Sequence, residues 1–471
     1  MAPLGPAGSL RLAPLRHFAY SGIRKPGVGR RRIKALGRRV EGACSAMIDR
    51  NLLREEPEMI REALAKRGSD FDLDRLIELD QQRRELLEVE QLRARRNELS
   101  QQIGQIIRDG GAAEALKAEV GQLKDQIGGM EAELAEVEAE FEQMMLEIPN
   151  IPLAAVPIGK DDSDNLVVSE WGEPRRYDFE PLPHWELGTR LQILDFEGAA
   201  RMAGARFITN IGAGALLERA LINFMLDTHT RKHGYTEVSP PYLANATSLI
   251  GTANLPKFEA DLFKTEDGYY MIPTAEVPLT NMHQGEILAA EDLPKHYCAY
   301  TACFRREAGA AGRESRGMIR LHQFHKVELM KFVTPETADA ELHKLMSDAE
   351  AILQALGLTY RVVALCTGDL GAQPRQTFDP EVWMPGMQSW VEIGSWSQYG
   401  DYQARRCNTR YRPEPEAKPE FVHTMNGSGL ATGRTVAAIL EHYQQADGTV
   451  EVPEVLRPYM GGMPLIGPPL P

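Results

Sequence analysis

Two segments of this 471-residue chain gather residue types that could handle phosphate. In "FRREAGAAGRESRGMIRLHQFHKVE" (304–328), Arg305, Arg306, Arg313 and Arg316 surround a glycine- and alanine-rich turn that leads into an apolar, strand-like run. The whole chain carries a formal net charge of −14, so this concentration of guanidinium is local. Arginine grips phosphate oxygens through planar, paired donors. The second segment, "NGSGLATGRTVAAILEHYQQADG" (426–448), opens with small residues and runs into a helix with Arg434 near its start. The first backbone N–H groups of a helix also favour anions. Taken singly, these are an arginine-rich surface loop and a glycine-rich helix cap. Taken together, they read as two walls of a triphosphate site.

The usual nucleotide fingerprints, G-x-x-x-x-G-K-[ST] and G-x-G-x-x-G, are missing, so a nucleotide here needs a different device. Carboxylates accompany the arginines: Glu276 in "PTAE", Glu328 in "KVE" and Glu392 in "EIGS". Groups of that kind can take an ammonium or a hard cation.

Two kinds of element have to position these residues. From 116 onward, Leu116, Val120, Leu123, Ile127, Met130, Leu134, Val137, Phe141, Met144 and Ile148 alternate spacings of four and three. That heptad seam predicts a coiled coil. Val89, Leu92, Arg96, Leu99, Ile103 and Ile106 follow the same rule upstream, and Gly110 and Gly111 can reverse the chain between the two runs. The result is an antiparallel hairpin of two helices, about 50 Å long at 1.5 Å per residue. A dimerisation rod has the same signature. Arg93, Arg95 and Arg96 on this hairpin could form a solvated face or grip a phosphate backbone. Residues 49–67 read as one further amphipathic helix capped by Asp49.

Pro149, Pro152 and Pro157 end the coiled coil and mark a domain boundary. Beyond it, helices are expected at 212–234, in "ETADAELHKLMSDAEAILQALG" and in "GRTVAAILEHYQQA". Strands are expected in "YYMIPTAEVPLT", "HQFHKVELMKFV", "TYRVVAL", "EVWMP" and "SWVEIGSWSQ". Strands interleaved irregularly with helices indicate an antiparallel α+β domain.

At this point the sequence resembles the class II aminoacyl-tRNA synthetases, and among them the bacterial-type seryl-tRNA synthetases. A long helix running to "EVSPP" resembles motif 1, 304–328 resembles motif 2, and 426–448 resembles motif 3. The serine-specific "PTAE", the two-helix arm and the ending "EVPEVLRPYMGG" match as well, so the resemblance covers residues 47 to about 465. It implies a class II catalytic domain over 151–471, a tRNA-binding helical arm domain over 47–150, and a homodimer built on motif 1. It implies ATP-dependent attachment of L-serine to serine tRNA through seryl-adenylate, with selenocysteine tRNA as a further substrate.

The resemblance also implies roles for individual residues. Arg305 would hold the α-phosphate and the serine carboxylate region, with Arg306 beside it. Glu307 would take the adenine amino group, Phe324 and Leu321 the adenine ring, and Arg434 the γ-phosphate. Thr274, Ala275, Glu276, Glu328 and Ser428 would receive serine. Glu392 and Ser395 would hold Mg²⁺, with Ile393 and Gly394 beside the nucleotide, and Arg305, Glu392 and Arg434 would be the catalytic set. Arg93, Arg95 and Arg96 would touch the tRNA through shape and backbone, as structured RNA demands. The family usually reads "EISSCSN" and "AKTYD" where this chain reads "EIGSWSQ" and has Gln376. These departures at Gly394, Trp396, Gln398 and Gln376 point to a reshaped ATP–metal corner.

Bulk composition narrows the alternatives. At 43% hydrophobic and 25% charged, with no apolar run of membrane-spanning length, the chain reads as globular with no membrane role. The acidic balance gives no basis for DNA binding. Five cysteines without a C-x-x-C pair suit a reducing, cytoplasmic setting. Residues 1–46 hold eight arginines and two lysines against Glu41 alone. They read as a misassigned start ahead of Met47 or as an organelle-targeting segment, and they are excluded from the fold. Two other functions stand beside the ligase: a duplicated relative that activates serine for biosynthesis or resistance, and a noncatalytic RNA-binding paralogue.

Overall fold

The computed structural model describes residues 48–308 and 316–468. The N-terminal extension and Arg313 therefore lie outside the described residues. Asp49 caps the first helix as expected, accepting from the Asn51 amide. The single helix expected over 49–67 is two, α1 (Arg50–Glu55) and α2 (Pro57–Lys66). Proline favours the first helical position and disfavours the helical conformation of the residue before it, so Pro57 divides the segment.

The hairpin follows. Its outgoing leg is α3 (Leu73–Leu86) and α4 (Val89–Arg108), and its return is α5 (Glu114–Glu147), 34 residues long. Gly110, at φ +79°, supplies the left-handed residue of the turn. Val89, Leu99, Ile127, Val137, Phe141 and Ile148 of the two seam runs are buried, and their other members are half-buried. The outgoing leg was expected as one helix and has a two-residue break at Leu87–Glu88.

At its root the hairpin packs into a cluster that includes Ile60, Leu76, Leu79, Phe141 and Met145 together with Tyr399 and Tyr402 of the second domain. Arg67 seals this junction. Its guanidinium donates to the carbonyls of Asn150 (2.7 Å), Leu370 (3.1 Å), Gly371 (2.9 Å) and Pro374 (2.6 Å). Burial lowers its pKa to about 10.

The second domain is built on a nine-stranded sheet. In chain order its strands are β1 (Leu166–Trp171), β2 (Thr236–Glu237), β3 (Lys295–Phe304), β4 (Gln323–Val333), β5 (Tyr360–Ala364), β6 (Gln376–Met384), β7 (Ser389–Glu392), β8 (Trp396–Gly400) and β9 (His423–Ala431). The spatial order is β1-β5-β6-β8-β9-β4-β3-β2, with β7 hairpinned onto β6. Every pairing is antiparallel except β2–β3.

Further helices are α6 (His184–Arg190), α7 (Ala213–Arg231), α8 (Glu276–Thr280), α9 (Ala338–Ala355), α10 (Tyr402–Cys407) and α11 (Thr432–Tyr443). Leu217 and Leu221 of α7, Leu345 and Ile352 of α9, and Val436 and Ile439 of α11 cover one sheet face, against Val327, Leu329, Trp396 and Met425. Strand side chains alternate between faces, so burying Val327 and Leu329 there turns Lys326 and Glu328 to the other side. No helix among the described residues is long and apolar enough to cross a membrane.

Two expected strands are broken up. In "YYMIPTAEVPLT" only Tyr270–Met271 is strand, and α8 begins at Glu276. Pro273 and Pro278 cannot donate to a ladder, and the Thr274 hydroxyl accepts from the Glu276 amide at 3.1 Å. "SWVEIGSWSQ" forms β7 and β8, separated at Ile393–Ser395.

Candidate active site

On the sheet face opposite the α9 layer, a cavity of about 220 Å³ opens between the motif 2 strands and the start of α11. Thr274, Glu276, Arg305, Glu307, Leu321, Phe324, Glu328, Glu392, Ile393, Gly394, Ser395, Ser428 and Arg434 all line it. The two arginine-bearing segments therefore converge. Arg305 follows β3, lies 5.2 Å over the Phe324 ring and donates to the Pro273 carbonyl at 3.4 Å. Arg434 donates to the Ile319 carbonyl (3.0 Å) and the Glu392 carbonyl (2.6 Å), and it pairs with the Glu392 carboxylate at 3.3 Å. Glu307, at φ +52°, pairs with Arg320.

The inner end is carboxylate-lined. Glu328 is 1% exposed; it accepts from the Thr274 hydroxyl (3.0 Å) and the Asn426 amide (2.8 Å) and pairs with Lys326 at 2.5 Å. Glu276 accepts from Gln403 at 2.6 Å, and Gln403 in turn accepts from the Thr424 hydroxyl. Burial first, and the neighbouring Glu328 second, push the Glu276 carboxyl up to about 7. Tyr399 donates to Asn426 at 2.7 Å, so both sides of the niche are locked by hydrogen bonds.

Near Arg434 the donors are all oxygens. Asp379 lies beside Glu392 and Ser395, and its Oδ1 is buried with no hydrogen-bond partner. Burial, and then Glu392, hold its carboxyl well above the usual range. Among the described residues no three His, Cys, Asp or Glu side chains are grouped to hold a metal by themselves.

Five expected site residues lie elsewhere or are engaged otherwise. Ala275 is fully buried at the turn into α8, packed in the cluster with Leu279, Met330 and Phe332. Arg306 is exposed outside the cavity, and its backbone amide donates to the Asp261 carbonyl at 2.9 Å. On the arm, Arg93 pairs with Glu131 at 2.6 Å and ties the two legs together, Arg95 faces Glu119 at 3.4 Å, and Arg96 donates to Asn97.

Serine–tRNA ligase of Carboxydothermus hydrogenoformans is 56% identical over 88% of this chain and 98% of its own length. That of Desulforamulus reducens is 58% identical over 88% and 99%. The chain belongs to the serine–tRNA ligase family. Residues 47–152 match the seryl-tRNA synthetase N-terminal domain, and 257–443 match the tRNA synthetase class II core domain (G, H, P, S and T). The seryl-tRNA synthetase of Pyrococcus horikoshii, solved complexed with ATP, superposes with a TM-score of 0.84 at 37% identity, covering 90% of this chain and 100% of that one.

The departures from the ligase pattern mostly sit away from the cavity. Gln376 and Gln398 are direct partners across β6–β8, joined at 3.1 Å, and Gln398 also donates to Asp339 at the start of α9. Trp396 is fully buried in the core under α9, packs against Gly427 and donates to the Ser428 carbonyl at 3.1 Å. Of the four departures, Gly394 alone lines the cavity. A β carbon there would stand 3.0 Å from Ser428 Cβ, so the glycine leaves space beside β9.

Sequence reasoning missed Lys326, Asn426, Tyr399, Gln403, Arg320 and Asp379. Lys326 was visible as the i−2 neighbour of Glu328 on one strand face. Gln403 reaches Glu276 across 127 residues of sequence and had no local signal.

Proposed function

We propose that this chain activates L-serine with ATP and transfers the seryl group to serine tRNA, working as a homodimer in the cytoplasm. One observation carries the reading: Arg305 and Arg434 share a cavity whose inner end is formed by Glu276 and Glu328. Charge of opposite sign at the two ends orients the substrates. The triphosphate lies against the guanidiniums, and the serine ammonium lies against the carboxylates.

A serine carboxylate oxygen attacks the α-phosphorus, a P–O bond to serine forms, and the bond to pyrophosphate breaks. Arg305 neutralises charge at the α-phosphate and Arg434 at the γ-phosphate; such chemistry asks for positioning and charge stabilisation. Phe324 and Leu321 hold the adenine ring, and Glu307 its amino group. Thr274, Glu276, Glu328 and Ser428 receive serine, and alanine is refused because it would leave their polar groups unpaired. Glu392 and Ser395, with oxygen donors and the partnerless Asp379 oxygen close by, suit Mg²⁺, which takes few protein ligands and completes its shell with phosphates and water. Bound there, the ion would supply further neutralisation of the phosphates.

The arm is assigned to the tRNA. Arg95 and Arg96, which lack the tight cross-hairpin pair that Arg93 makes, are the better placed phosphate contacts. Exposed Met202 and Ile211, close in sequence to α7, support a covering second copy. Charging of serine tRNA with radiolabelled serine tests the proposal. Seryl-tRNA should accumulate, and sedimentation should give a dimer. Serine activation without charging would turn the reading toward another acceptor.

A further inference from the structure

We propose that His184 and Glu441, which do not line the cavity, are a positioning pair that fixes its ATP-facing wall through the backbone amide of Met318. The inference rests on the ATP reading above and adds residues to it. His184 opens α6 and Glu441 lies in the last turn of α11; both are 0% exposed. His184 Nδ1 meets Glu441 Oε1 at 2.8 Å, and the His184 backbone amide donates to the same oxygen at 3.0 Å. The other carboxylate oxygen accepts from the amides of Gly386 (2.7 Å) and Met387 (3.2 Å).

With an acceptor at Nδ1, the proton sits on Nδ1 and leaves Nε2 a lone pair. That lone pair accepts from the Met318 amide at 3.0 Å. Gly317, at φ +67°, allows the approach, since a β carbon there would lie 2.2 Å from His184 Nε2.

Met318 begins the run Met318-Ile319-Arg320-Leu321, every member of which lines the cavity. The Ile319 carbonyl accepts from Arg434, and Arg434 lies near the start of the same helix that carries Glu441. A closed circuit results: α11, Glu441, His184, Met318, Ile319, Arg434, and back to α11. The spacing between the motif 2 wall and the phosphate-facing arginine is thus set outside the cavity. The serine niche is held by a separate network through Thr274, Asn426 and Gln403, so loosening the circuit should affect ATP and spare serine.

The test uses the full chain with His184→Ala, Glu441→Gln and the double variant, each with its melting temperature and separate KM values for ATP and serine in pyrophosphate exchange. Each single variant should raise KM for ATP by about tenfold or more, the cost of losing roughly one well-formed hydrogen bond. KM for serine should stay within about twofold, the double variant should be no worse than the worse single one, and imidazole should partly restore His184→Ala. Unchanged KM for ATP, additive effects, or both KM values rising together would overturn the proposal.

Should the buried variants fail to fold, Gly317→Ala pushes the Met318 amide off His184 without removing a buried charge. It should give the same selective rise, and an unchanged KM for ATP would refute the pair's role. Hydrogen exchange at the Met318 amide reads the circuit without catalysis, so a silent wild-type exchange assay would count against the ATP reading alone. The amide should be protected in the wild type and open in His184→Ala; fast exchange in the wild type would refute the circuit.

Discussion

Glu328 and Ser428 are direct partners across the β4–β9 pair, immediately before a register shift between Ser428 and Leu430. Directly opposed residues of an antiparallel pair project from the same sheet face. The opposite face of β4, carrying Val327 and Leu329, is buried in the core, so the carboxylate and the hydroxyl are both delivered to the cavity.

Replacing Glu328 with alanine should reduce serine-dependent exchange by about a thousandfold or more, because the substrate ammonium loses a buried, hydrogen-bonded counter-charge. Lys326 and Asn426 lose their acceptor, so the melting temperature should also fall by a few degrees. Exchange kinetics with circular dichroism on the same sample check both; unchanged kinetics would remove Glu328 from the serine pocket.

Glu276 predicts a pH dependence. Its carboxyl titrates at about 7 in the folded chain, against about 4.3 when unfolded. As pH rises between those values the unfolded state loses its proton first, so the stability contribution of this group falls over that window and stays low above it. Glu276→Gln should therefore raise the melting temperature more at pH 8 than at pH 5 while losing serine activation. In the wild type, serine KM should rise as pH drops below about 7, since the ammonium prefers the ionised carboxylate.

Arg93 and Glu131 meet across the hairpin at 2.6 Å, so residues 94–130 can be replaced by a short glycine-containing turn. Val137, Phe141 and Met145 of the packed root remain. This shortened chain should keep full serine-dependent exchange and lose tRNA charging, with KM for tRNA raised by about a hundredfold. Equal charging would show that the arm serves something else.

Gln376→Lys should leave KM for ATP within about twofold. Its side chain meets Gln398 under α9 and does not reach the cavity, so the change should appear in stability, by about 1 kcal/mol. Steady-state kinetics and thermal melting separate the two.

What could be read from the sequence follows physical range. The heptad seam was legible because coiled-coil packing is local and periodic; its members are buried or half-buried while most of their flanks are exposed. Arg305 and Arg434 were legible by residue type and by their placement beside turns. Facing was harder to read. Ala275 sits between two pocket residues yet packs in the core, and Trp396 and Gln398 alternate with Ser397 and so point away from the cavity. Those directions depend on which face the helices cover, which single-strand patterns do not state. Prolines mark the end of α5 at Glu147, and the same rule applied to Pro57 and Pro273 would have divided α1 from α2 and excluded the long strand at 269–280.

The most direct test of the site is amino-acid-dependent ATP–pyrophosphate exchange by the purified chain with serine, alanine and threonine in parallel. A cavity pairing two arginines with two enclosed carboxylates should give exchange with serine and about a hundredfold less or lower with the other two. Absence of serine-dependent exchange, or equal exchange with alanine, would contradict it.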